Sequence, residues 1–195
     1  MQAGVQDGER MSESIREVDV RVDVALIERW QQGDERAATE LVDRHAPALA
    51  RFAATQGVRD GVEELVQDTF VRAFNSLASF RADSSLRTWL FTILKRLVLD
   101  RQRAERRERN KVELEEDHAV QEFNALDGLV ADEALLRVRT AVARLSPMQR
   151  EVFTLRVTEG LPYTEIARVV GSTDGACRVH YHNAMRAVKE YLNDD

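Results

Sequence analysis

Apolar positions recur at intervals of three and four along most of this chain. Val24, Ile27 and Trp30 predict a helix over Asp23–Gln32 that stops at Gly33. Asp34 is a good N-cap for a second helix through Ala37, Leu41 and Val42, and Pro47 marks either a kink in it or a new start. Gly57–Gly61 reads as a connection. Over Val62–Leu77 one stripe carries Leu65, Val66, Thr69, Phe70, Ala73, Phe74 and Leu77, and the other carries Glu64, Asp68, Arg72 and Asn75. Ser79–Ser85 is small and polar, hence a loop. Leu86 to Arg107 predicts a long helix whose first half is apolar (Trp89, Leu90, Ile93, Leu94, Leu97, Val98) and whose second half is charged. After an acidic stretch, Leu129–Leu145 is helical again. Ser146 caps a helix with Pro147 in its first turn, and Glu159-Gly160 closes it. Pro162–Val170 ends at Gly171, and Thr173 caps a last helix through Leu192.

Composition supports an all-α fold. Ala, Leu, Val, Arg and Glu dominate, with only 3 Pro among 195 residues. The expected architecture is two small helical domains joined by a flexible acidic linker, the second domain a helix-turn-helix. The expected divisions are a flexible polar tail over 1–18, a first domain over 19–109, the linker over 110–128 and a second domain over 129–195.

The net charge of −6 argues against a uniformly basic surface, but the charge is segregated. Arg87–Lys111 holds nine Arg or Lys against three Asp or Glu, whereas Val112–Leu136 holds eight acids and no base. This suggests a polyanion-facing helix followed by a solvated linker. The single cysteine, Cys177, can form neither an internal disulfide nor the usual zinc site, and reads as a buried small hydrophobe. No signal peptide or membrane span is expected, which places the protein in the cytoplasm.

Two short helices around Gly171 can cross steeply enough to lay the second in a DNA major groove. Ile166, Ala167 and Val170 would face inward from the first, and Cys177, Tyr181, Ala184 and Val188 from the second. No acid occurs from Gly175 through Lys189, and the outward set includes Arg178, Val179, His182, Asn183 and Arg186. Turn chemistry, inward spacing and missing acids favour DNA binding over a plain hairpin with a basic face. His180 and His182 point to different faces and make poor metal partners. Upstream, the segment Ser79-Phe-Arg-Ala-Asp-Ser-Ser-Leu-Arg-Thr-Trp89 runs into Lys95, Arg96, Arg101, Arg103, Arg106 and Arg107. Cations for phosphates beside rings for unstacked bases suit single-stranded DNA, and a solvated helix end fits the spacing equally well.

The run Glu64-Leu-Val-Gln-Asp-Thr-Phe-Val-Arg-Ala-Phe74, with Phe80-Arg81 and Arg87-Thr-Trp-Leu90, resembles the second domain of extracytoplasmic-function sigma factors. Leu145-Ser-Pro-Met-Gln-Arg-Glu-Val-Phe153, Glu159-Gly160-Leu161 and Tyr163-Thr-Glu-Ile-Ala167 resemble their fourth domain. The resemblance spans about Asp23 to Leu192 and implies a non-enzymatic initiation factor with no cofactor, metal or catalytic residue. It implies that Glu63, Glu64, Gln67, Asp68, Val71 and Arg72 grip core RNA polymerase. Phe80, Arg81, Ser84, Arg87, Trp89, Lys95, Arg96 and Arg103 would melt and hold the minus-ten element. Thr173, Arg178, Val179, His182, Asn183 and Arg186 would read the minus-thirty-five element. An anti-sigma protein is the further partner implied. The chain departs from the family at Leu94, where a small residue is usual, at Arg96 in place of Asn, and at Val179-His180 in place of Ser-Arg.

Two other functions compete. Arg178-Val-His-Tyr-His-Asn183 also resembles the recognition helix of LuxR-type regulators, which bind duplex DNA without polymerase, but that leaves the first two-thirds of the chain unexplained. A helical di-iron enzyme needs paired Glu-x-x-His motifs, and only Glu115–His118 is present.

Overall fold

A computed structural model of the chain describes residues 3–58, 60–77, 80, 83–112 and 133–193, without the side chains of 3–16, 110–112 and 133. Among the described residues there are eight α-helices, one π-helical turn and no strand. The all-α expectation holds.

Helix α1 spans Ala3–Gln31 and seats Asp23, Leu26 and Ile27 against its neighbours. It therefore begins well inside the segment read as a flexible tail. That segment lacks proline and carries Glu9, Arg10, Glu13 and Glu17, helix formers whose polarity conceals their propensity. Gly33 ends the turn after α1 at φ 93°, and the Asp34 carboxylate accepts from the Arg36 N–H at 3.0 Å to start α2, Glu35–Thr55. Pro47 lies within α2, which continues through it. Ala48, Leu49, Phe52 and Ala53 follow directly and are all buried, so packing beyond the proline holds the helix together.

Helix α3, Val62–Ser76, buries Leu65, Val66, Thr69, Phe70 and Ala73 on one face. Helix α4 spans Leu86–Val112, running past the expected linker start at 110. The Ser85 hydroxyl caps it, accepting from the Thr88 N–H at 3.2 Å. Its apolar half is buried more widely than one stripe, since Thr88, Leu90, Phe91, Leu94, Leu97 and Val98 are all enclosed. The reason is that α4 is clasped from two sides, by α2 and α3 on one and by the later helix Tyr163–Val170 on the other. The Phe52 and Phe91 rings meet edge to face at 5.3 Å inside this core.

The second set comprises α5 (Glu133–Ala143), α6 (Pro147–Phe153) with its π-helical turn Thr154–Thr158, α7 (Tyr163–Val170) and α8 (Asp174–Asn193). Ser146 and Gln149 form a reciprocal capping box at the start of α6. Ala141, Leu145, Phe153, Ala184 and Val188 make a small core of their own. Val152, Leu155, Leu161, Ile166, Val169, Val170 and Cys177 instead join the buried cluster of the first four helices. The two helical sets thus share apolar surface directly. The expected linker beyond Val112, Glu115–His118 and the predicted helical start at Leu129 lie outside the described residues.

Candidate nucleic-acid interface

The helix-turn-helix is built by local chemistry. α7 buries Ile166, Val169 and Val170, and Gly171 ends it at φ 71°. Thr173 Oγ1 accepts from the Ala176 N–H at 3.2 Å and opens α8. Cys177, Ala184 and Val188 turn inward as expected, and Tyr181 is half-buried between Phe153 and Tyr163. Burial pushes both the Tyr163 hydroxyl and the Cys177 thiol up from their ordinary pKa values. The outward set is presented to solvent: Thr173, Arg178, Val179, His182 and Arg186 are exposed, while Asn183 is half-buried. Arg178 is pre-oriented, with its Nη2 3.2 Å from Asp174 Oδ2 and its guanidinium carbon 4.8 Å from the Tyr163 ring centroid.

A second exposed surface lies on α3. Glu63, Glu64, Gln67, Asp68, Val71 and Arg72 lie off its buried stripe, and all six are exposed to solvent. Val71 stands 57% exposed amid these polar groups.

The set expected on melted DNA is dispersed. Phe80 and Trp89 are half-buried with ring centroids 5.0 Å apart, Ser84 is half-buried, and Arg96 and Arg103 are exposed. Arg103 Nη1 lies 3.3 Å from Asp100 Oδ1. Arg81 lies outside the described residues. Arg87 and Lys95 are engaged by the second helical set. Arg87 pairs with Glu159, whose side chain is fully buried, and Arg51 Nε lies 3.2 Å from the same carboxylate. Lys95 Nζ lies 2.5 Å from Glu151 Oε2 and donates to the Val170 carbonyl at 3.2 Å.

Sequence reasoning missed these carboxylates, and Glu165 with them. Glu165 accepts from the Ser85 hydroxyl at 2.8 Å and from the Thr88 hydroxyl, and Arg168 reaches the Asp83 carbonyl. The available signal was Glu151-x-x-x-Leu155-x-x-x-Glu159, two acids flanking a fully buried leucine at one-turn intervals. Among the described residues no group of three or more His, Cys, Asp or Glu is placed to hold a metal. No described helix is long and apolar enough to cross a membrane.

Residues 41–108 match the family described as sigma-70 region 2, and residues 135–188 match sigma-70 region 4. The chain is 33% identical over 177 residues to the ECF RNA polymerase sigma factor BldN of Streptomyces coelicolor, covering 87% of this chain and 66% of that protein. It is 31% identical over 176 residues to the ECF RNA polymerase sigma-E factor of Salmonella typhimurium, covering 85% and 92%. Among solved structures it is similar to the sigma factor RpoE in complex with the anti-sigma factor NepR from Bartonella quintana. That match has TM-score 0.67 and 29% identity and covers 83% and 98% of the two chains.

Proposed function

The chain belongs to the extracytoplasmic-function RNA polymerase sigma factors, and from that premise we propose how its surfaces share the work of promoter-specific initiation. Such a factor binds core RNA polymerase and directs it to promoters. The unit over 19–109 holds polymerase and the melted minus-ten strand, 129–195 reads the minus-thirty-five duplex, and 110–128 joins them.

The exposed α3 stripe carries this reading. Six side chains from Glu63 to Arg72 sit together on a face that the protein leaves open, backed by a rigid apolar core. A paired set of acids with one exposed valine and one arginine suits docking onto a helical partner with a basic rim. α8 then offers Arg178, Val179, His182, Asn183 and Arg186 to a major groove, with Thr173 at its start. Phe80, Arg81, Ser84, Arg87, Trp89, Lys95, Arg96 and Arg103 take the unpaired strand, cations on phosphates and rings on bases.

The LuxR-type reading is not favoured, because it gives residues 41–108 no task. The RpoE relative is held by an anti-sigma protein. We extend that kind of control to this chain, and place its action in the cytoplasm where polymerase works.

The test is run-off transcription with core polymerase and genomic fragments. Discrete transcripts that require this chain are expected. Transcription no different from core alone would remove the reading.

A further inference from the structure

Asp174 opens α8, and its side chain bonds Arg178 alone among the described residues. Its Oδ2 accepts from Arg178 Nε at 3.3 Å and from Arg178 Nη2 at 3.2 Å, while its Oδ1 is enclosed with no hydrogen-bond partner. The Arg178 guanidinium carbon stands 4.8 Å from the Tyr163 ring centroid. That ring is itself fixed. Tyr181 meets it edge-on at 5.9 Å, and the Arg156 guanidinium carbon lies 4.8 Å from its centroid. Arg156 Nη1 in turn donates to the Leu161 carbonyl at 3.0 Å.

A guanidinium carries five N–H donors, along a side edge (Nε and Nη2) and a terminal edge (Nη1 and Nη2). Asp174 takes the side edge, and Tyr163 takes one flat face. What remains is the terminal edge, a pair of parallel donors on an exposed side chain at the start of the second turn of α8. This is the end of a recognition helix that meets base edges. Guanine O6 and N7 are the acceptor pair that such a fork fits in the major groove. A phosphate suits it less, because the Asp174 carboxylate already offsets the charge and would repel a second anion beside it.

We propose that Asp174, acting with Tyr163, is a positioning residue for promoter discrimination: it holds Arg178 end-on, so that the holoenzyme selects a guanine at one position of the minus-thirty-five element. This rests on the assignment of α8 to that element made above.

The Asp174–Arg178 pair is open to water, with side chains 40% and 63% exposed, so it contributes little to stability. Its effect is on orientation. Freed from Asp174, the guanidinium can turn its side edge or a single donor toward the groove, and it must be ordered on binding. Removing Asp174 also takes a negative charge away from the DNA. Discrimination should therefore fall while affinity for unrelated duplex holds or rises.

The test binds holoenzyme to promoter duplexes whose minus-thirty-five element is randomised, and reads the base preference at every position. Wild type is expected to prefer guanine at one position, and R178A to lose that preference. D174A is expected to weaken the same preference about fivefold and leave the other positions unchanged. D174N keeps one oxygen acceptor and is expected to retain most of it. Replacing that guanine by 7-deazaguanine, which lacks the N7 acceptor, should weaken wild type about fivefold and D174A less.

Melting curves and binding to unrelated duplex are read on the same samples. A D174A loss spread evenly over all positions, with a lowered melting midpoint, makes Asp174 structural and overturns the proposal. So does a guanine preference that R178A erases and D174A leaves intact, an outcome that spares the assignment of Arg178 to the minus-thirty-five element. If R178A erases no base preference at all, that assignment falls together with the proposal.

Discussion

Lys95 and Glu151 meet at 2.5 Å across the junction of the two helical sets, with side chains only 13% and 10% exposed. Neither charge has water enough to stand alone. K95M removes the cation and strips the Val170 carbonyl of a donor, leaving Glu151 charged and enclosed. Breaking such a pair costs about 3 kcal/mol, whereas replacing both partners by apolar groups is close to neutral. K95M is therefore expected to lower the free energy of urea unfolding by that amount, and K95M/E151L to recover most of it. Equal losses in the single and double variants would show that the pair contributes only through its packing.

The α3 stripe permits a separation of function from stability. Asp68 and Arg72 are exposed and one helical turn apart, and both lie off the buried face. Substituting both by Ala is expected to weaken association with core polymerase about tenfold or more while leaving the thermal midpoint nearly unchanged. Titration of labelled protein with core enzyme, beside a melting curve, checks both halves of the statement.

Arg178 is held by Asp174 and Tyr163 before any DNA arrives, so little ordering remains to be done on binding. R178A is expected to cost about 1–3 kcal/mol in promoter binding by the holoenzyme, without changing affinity for core. Salt decides the kind of contact. If Arg178 grips a phosphate, the loss is uniform across sequences and the salt slope falls by about one. If it reads a base edge, discrimination at one position relaxes instead.

Much of this was legible in the sequence because it is local. Asp34, Ser146 with Gln149, Gly171 and Thr173 mark helix ends through bonds to residues within four positions, so spacing alone exposes them. The α3 stripe was legible because that helix is half-buried, giving a clean division of faces. α4 was read only in part. A helix clasped from two sides buries Thr88 and Phe91 as well as the expected leucines, and no single stripe announces that. Glu151, Glu159 and Glu165 were illegible for a different reason. Their partners lie 56, 72 and 77 residues away, so the one-turn spacing of Glu151, Leu155 and Glu159 hints at a shared face but names no partner.

The α1–α2 corner predicts an acid-sensitive contribution to stability. The hydrogen bond from Arg29 holds the Asp34 carboxyl below its ordinary value of 3.8. A folded-state value below the unfolded one means the contribution is complete above the ordinary value and is lost as pH falls through the folded one. D34A is expected to lower the thermal midpoint at neutral pH, through the lost cap on Arg36 and the lost ion pair. The gap between variant and wild type should narrow once the carboxyl is protonated. Melting curves across the acid range test this, and a gap independent of pH would mean that Arg29 does not stabilise the ionised carboxyl in solution.

Two glycines on either side of Thr173 are expected to respond to alanine with opposite signs. Gly171 ends α7 at φ 71°, where a Cβ would meet no neighbouring atom, so the whole effect of a substitution comes from the backbone. G171A is expected to destabilise by about 1 kcal/mol, the ordinary cost of placing an L side chain in the left-handed region. Gly175 lies in the first turn of α8 with a helical backbone and equally open space around it. G175A is expected to stabilise by about 0.5 kcal/mol, because alanine loses less freedom on entering the helix. Neither change alters charge or packing, so urea unfolding of the two variants isolates backbone conformation at the helix-turn-helix corner. A shared sign would mean that the turn between α7 and α8 in solution does not place Gly171 in the left-handed region.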